Sequence, residues 1–254
     1  MQLVRNFWQS QIGKKAVMAV TGLIGVGFVI GHMVGNLQMF QGPEKINSYG
    51  YFLHHTLGGA LWLVRLVLIG AVVLHVVAAV QLTRQKQKAR PGQQGYKKWE
   101  PQISTFASRT IRWGGALLLA YLVYHILHFT VRWEPLAPGY SDTDVYGNVV
   151  KGFSDPFTVV FTTLAMAALG LHLHHGAWSS IRTLGLSRPR PRPTSRLVAT
   201  VVAVLVSLGF VAVPLAVFFG LVRARSDSPT AGVPAAAAAR SAPGPSGAPA
   251  VAGR

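Results

Sequence analysis

Residues 16–43 read AVMAVTGLIGVGFVIGHMVGNLQMFQGP, 28 positions without one charged side chain. An α-helix rises about 1.5 Å per residue and the hydrocarbon core of a bilayer is about 30 Å thick, so about 20 apolar residues cross it. Four more charge-free runs follow: 66–83 (18 residues), 113–131 (19), 156–181 (26) and 197–222 (26). Half of the chain is apolar, 12% is charged and the mean hydropathy is +0.37. The expected fold is therefore all-α, an integral membrane bundle of five transmembrane helices. The first run lacks a small-residue cleavage site after a short apolar core, so it is expected to be a retained span rather than a signal peptide. The expected organisation is a segment at 1–15, a spanning domain at 16–222 and an Ala-, Pro- and Gly-rich tail at 223–254 that should be disordered.

The net charge is +17. On a soluble protein this would suggest nucleic acid, but the cations cluster between particular spans and no nucleic-acid partner is expected. Arg5, Lys14 and Lys15 precede the first span. Arg84, Lys86, Lys88, Arg90, Lys97, Lys98, Arg109 and Arg112 lie between the second and third. Arg182, Arg188, Arg190, Arg192 and Arg196 lie between the fourth and fifth. The other two loops hold few cations. The positive-inside rule then puts the N-terminus in the cytoplasm and the C-terminus outside. The chain has no cysteine, which removes disulfides, thiolate haem ligation, covalent C-x-x-C-H haem attachment and iron–sulfur ligation.

Each of the first four spans carries a histidine: His32, His75, His125 and His172. Ionisable residues inside a bilayer are costly and rare, so four on four helices ask for one explanation. Helix direction alternates, which fixes their depth. His32 and His125 lie about two-thirds of the way along outward-running helices. His75 is nine residues before Arg84 and His172 is ten before Arg182, about 14 Å from the cytoplasmic boundary. The four sort into two level pairs, His32 with His125 and His75 with His172. Neutral imidazole binds iron well, and two from different helices can hold one haem axially. Two b-type haems at two depths would carry electrons across the membrane. The bland alternative is a hydrogen-bonded packing residue or part of a proton path.

Several nearby residues have two readings. His128 and His175 stand one turn from His125 and His172 and are rival ligands; His128 could instead bond a haem propionate. His174 points away from His172. His54 and His55 fall in an outer loop expected to form a short interfacial helix and turn. The second span is expected over about 61–82. Gly27, Gly31 and Gly35 form a stripe that either packs against another helix or lets a flat macrocycle approach the backbone. Asp155 and Pro156 should cap and start the fourth span. Pro214 should kink the fifth. Residues 132–155, rich in Pro, Gly, Asp and Tyr, read as a loop, and Pro91, Gly92 and Pro101 break the basic loop before it.

These residues carry a resemblance. The pattern Thr21-Gly22 through Gly31-His32-Met33-Val34-Gly35-Asn36, the loop Ile46-Asn47-Ser48, His75, Tyr124-His125, and His172-Leu173-His174-His175-Gly176-Ala177-Trp178-Ser179 followed by Thr183-Leu184-Gly185 is similar to the cytochrome b subunit of succinate:menaquinone oxidoreductases of the five-helix, two-haem type. The likeness covers about residues 10–222. It implies one haem ligand on each of the first four helices. Its motif spacing points to His172, four residues before Gly176, and to His125, 13 residues after Arg112. It implies the same pairing, with the His75/His172 haem proximal to the dehydrogenase. It further implies a flavoprotein subunit and an iron–sulfur subunit as partners, docked on the basic loops, and menaquinone as electron acceptor. Glu44, Asn47, Ser48 and Tyr51 are the weakly marked quinone residues, and Arg84 and Arg182 could either meet haem propionates or snorkel to the lipid headgroups. The implied location is the bacterial cytoplasmic membrane, as a multi-pass subunit with no dehydrogenase site of its own. Rival readings are the cytochrome b subunit of a hydrogenase or formate dehydrogenase, whose order of ligands fits less well, and a non-haem transporter using the histidines as a proton path.

Overall fold

The computed structural model describes residues 2–88, 106–186 and 193–224. Among these there is no strand, and five helices are long and apolar enough to cross a membrane. The described residues form eight α-helices in chain order: α1 Gln2–Gln9, α2 Gln11–Leu37, α3 Pro43–Tyr51, α4 Gly58–Lys88, α5 Phe106–His125, α6 Val145–Phe153, α7 Pro156–Thr183 and α8 Pro193–Phe218. The five spans are α2, α4, α5, α7 and α8. Pro91, Gly92, Pro101, the Arg-Pro segment 188–192 and the tail 225–254 lie outside the described residues.

Local chemistry sets the helix ends. The Ser10 hydroxyl accepts from the Gly13 amide at 2.8 Å and starts α2 at Gln11, earlier than the expected 16. Asp155 caps α7 as its sequence suggests: its carboxylate accepts from the Thr158 amide (2.8 Å) and hydroxyl (2.7 Å), and Pro156 opens the first turn. Gly185, at φ +73°, closes the far end of α7. α4 runs to Lys88, beyond the expected 82, because its terminal cations can reach water along the helix. α8 begins at Pro193, ends at Phe218, and carries Pro214 inside it with a fully buried side chain.

The segment 132–155, expected as loop, contains α6. Asp144 caps it by accepting from the Gly147 amide at 2.9 Å. α3 and α6 pack together over one end of the bundle, with Met39, Ile46, Tyr146, Val150 and Phe153 against Val213, Ala216 and Val217 of α8. Asn47 pins the two: its Nδ2 donates to Asp144 (3.0 Å) and its Oδ1 accepts from the Tyr146 amide (2.9 Å). Glu44, Glu134, Asp142, Asp144 and Asp155, all the acids among the described residues, sit at this capped end. The opposite, basic end carries Lys15, Arg84, Arg112, Arg182 and Arg196.

α7 packs on α8, α5 and α2, and α2 also packs on α4 and α8. α4 therefore leans on α2 and α5 on α7, and much of their apolar surface is open, as at Leu66 (63% exposed) and Trp113 (80%). In a bilayer that surface faces lipid or a bound group, so its exposure carries no aqueous penalty.

Candidate functional site

The four histidines meet across the gaps of this arrangement. His32 on α2 faces His125 on α5 with ring centroids 5.9 Å apart. His75 on α4 faces His172 on α7 at 6.1 Å. Among the described residues, neither α2 with α5 nor α4 with α7 forms a close-packed helix pair. Each histidine pair thus bridges helices that are held apart, each resting on one side of the α2–α7 contact. These are the partners that depth along the spans matched.

The surroundings of the pairs differ. His32 stacks on Phe28 (5.4 Å, 10° between planes) and lies 5.7 Å from Phe210 of α8. His125 lies 5.7 Å from Tyr121 and 5.4 Å from Phe129. The His75 Nδ1 sits 3.2 Å from the Thr21 hydroxyl. Nδ1 of His125 and of His172 is buried without a hydrogen-bond partner among the described residues, as is that of His128. An orphaned buried polar atom costs about 1–3 kcal/mol, so such atoms ask for a reason.

The donor set fits a haem. A metal–imidazole bond is about 2 Å and the ring centre lies about 1 Å behind its nitrogen, so two rings on opposite sides of one metal have centroids about 6 Å apart. Both pairs have that separation. A side chain added at Gly27 or Gly31, beside His32, would meet nothing within 4 Å, so that face of α2 is open. Gly35, the third member of the stripe, is instead covered by Tyr49, whose Cε1 would lie 3.1 Å from an added Cβ. The stripe is thus open at Gly27 and Gly31 and covered at Gly35.

His128 lies in a π-helical turn, Ile126–Thr130, that follows α5. It is buried, and its Nε2 is 2.7 Å from the Tyr140 hydroxyl. Its ring neighbours are Tyr124, Phe129 and Tyr140, whereas His32 meets His125. Burial, with Tyr124 and Asp155 nearby, raises the Tyr140 pKa. On α7 the ring that meets His75 is His172, not His175. His54 and His55 lie in a second π-turn, Phe52–Thr56, where Tyr51 stacks on His55 at 4.3 Å. Burial, together with Arg65, His55 and Arg132, lowers the His54 pKa. Of the quinone residues read from sequence, Glu44 and Ser48 are exposed on α3, and both polar ends of Asn47 are committed to Asp144 and Tyr146. Arg182 lies over the Trp178 ring, 5.9 Å from its centroid, and Arg196 approaches the same ring at 5.2 Å.

Sequence reasoning gave no role to Thr21, Tyr140 or Asp144. Each acts on a residue of another element, and Thr21 is 54 positions from His75. Among known proteins, a family model described as succinate dehydrogenase/fumarate reductase transmembrane subunit matches residues 86–219, which include His125 and His172. No curated protein and no solved structure matches the chain.

Proposed function

Because the chain belongs to the succinate dehydrogenase/fumarate reductase transmembrane subunit family, we propose that it is the di-haem cytochrome b anchor of that complex, passing electrons from an iron–sulfur subunit to menaquinone. The observation that carries the reading is the pair of imidazole–imidazole separations, 5.9 and 6.1 Å, each across helices that do not pack directly. His32 and His125 would hold one haem b, and His75 and His172 the other. The bound haems would supply reversible one-electron transfer at two depths. The chain's own residues supply ligand nitrogens, orientation and a dry setting. Phe28, Phe210, Tyr121 and Phe129 wall the His32/His125 pair with rings. Tyr140 occupies Nε2 of His128, which favours His125 as the ligand on that helix.

The basic end would face the cytoplasm and receive the flavoprotein and iron–sulfur subunits, with Lys15, Arg84, Arg112, Arg182 and Arg196 offering charge for docking. The capped end would face outward and lie near the quinone, with Glu44, Ser48 and Tyr51 retained as candidates and Asn47 assigned to holding α3 on α6. The location would be a bacterial cytoplasmic membrane.

The test is the haem content and the reduced-minus-oxidised spectrum of the purified complex. Two b-type haems per chain are expected. A haem-free protein would contradict the reading and favour the transporter alternative, and one haem per chain would contradict the di-haem assignment.

A further inference from the structure

We infer that Thr21 and Gly22 of α2 form a seat that orients the His75 imidazole, making Thr21 a positioning residue for the basic-end haem site. This rests on the haem reading of the two histidine pairs. Thr21 is buried at 8% exposure. Its hydroxyl lies 2.7 Å from the Val17 carbonyl and 3.2 Å from that of Met18, both acceptors, so its single proton is committed to its own helix. The oxygen can then only accept from the third neighbour, His75 Nδ1 at 3.2 Å. This matches a His75 that carries its proton on Nδ1, where the Met18 carbonyl is a second acceptor, and that keeps the Nε2 lone pair free for a metal.

Gly22 supplies the room. A Cβ there would lie 3.3 Å from His75 Cε1 and 3.6 Å from Nδ1, so a side chain at this position presses on the ring that Thr21 holds. Other ligand candidates are held differently: Nδ1 of His172 and of His125 has no partner among the described residues. An acceptor on the distal nitrogen makes an imidazole more basic and a better donor to iron. It therefore favours the oxidised centre, and removing it raises the midpoint potential.

The experiment is a redox titration of the intact complex carrying Thr21→Ala or Thr21→Ser, followed by the b-type absorbance. The component to watch is the one lost in His75→Leu. Thr21→Ala should raise its midpoint potential, or lower its occupancy, and leave the other component unchanged. Thr21→Ser, which keeps the hydroxyl, should behave as the parent. Unchanged potential and occupancy in Thr21→Ala would overturn the proposal, as would a Thr21→Ser variant that matches Thr21→Ala. A parent complex lacking two b-type components would instead overturn the haem reading itself.

Discussion

The two histidine pairs share one side-chain chemistry and have opposite settings. His32/His125 sits near the capped end among aromatic rings, with Gly27 and Gly31 open beside it. His75/His172 sits towards the basic end, with few rings around it and a hydroxyl on one distal nitrogen. The same side chain is therefore held in two ways, by rings at one pair and by the Thr21 hydroxyl at the other.

The largest expected effect comes from removing a ligand whose neighbour stands close enough to replace it. His125→Leu should abolish the capped-end component completely in the difference spectrum. His128 is one turn away, but Tyr140 holds its Nε2. A surviving component would show that His128 can ligate and would break the distinction drawn between the two histidines.

Filling the open face comes next. Gly31→Leu should cut occupancy of the haem proposed at the capped end and spare the one proposed at the basic end, measured as the ratio of the two components. Equal loss of both would mean that the open face serves general packing. The capped end also depends on Asn47. Asn47→Ala removes the two side-chain bonds that tie α3 to Asp144 and the Tyr146 amide, at a cost of about 1–3 kcal/mol. Faster proteolysis of 132–155 should report it, with the basic-end spectrum unchanged.

The smallest effect is at Asp155. Burial pushes its carboxyl up, but hydrogen bonds from the Thr158 hydroxyl and the Thr158 and Phe157 amides, with His128 nearby, outweigh this and lower its pKa. A depressed carboxylate pKa contributes stability that is present above the unfolded value and lost as pH falls through the folded one. Thermal stability should therefore fall on acidification through the carboxylate range, and Asp155→Asn should flatten that dependence. Asp155→Ala should cost about 1 kcal/mol, a typical cap.

Much of the bundle was legible because hydrocarbon forbids charge over the length of a span. The spans, the Asp155 cap and the matching of His32 with His125 and His75 with His172 by depth all followed from spacing along helices. α6 was not legible. It is nine residues long, lies in a stretch full of turn-formers, and is held by Asn47, nearly a hundred positions earlier. The Thr21–His75 bond and the Tyr140–His128 bond were hidden for the same reason: the sequence shows the residues but not which helices face each other. The two π-turns change which way His54, His55 and His128 point, and nothing in local periodicity announces them.

The most direct test of the pairing is haem content and spectrum in four single variants, His32→Leu, His75→Leu, His125→Leu and His172→Leu, measured in the intact complex. His32→Leu and His125→Leu should lose the same component, His75→Leu and His172→Leu should both lose the other, and each should keep about half of the haem expected for two bis-histidine sites. Loss of different components within a pair, or retention of both haems in any variant, would contradict it.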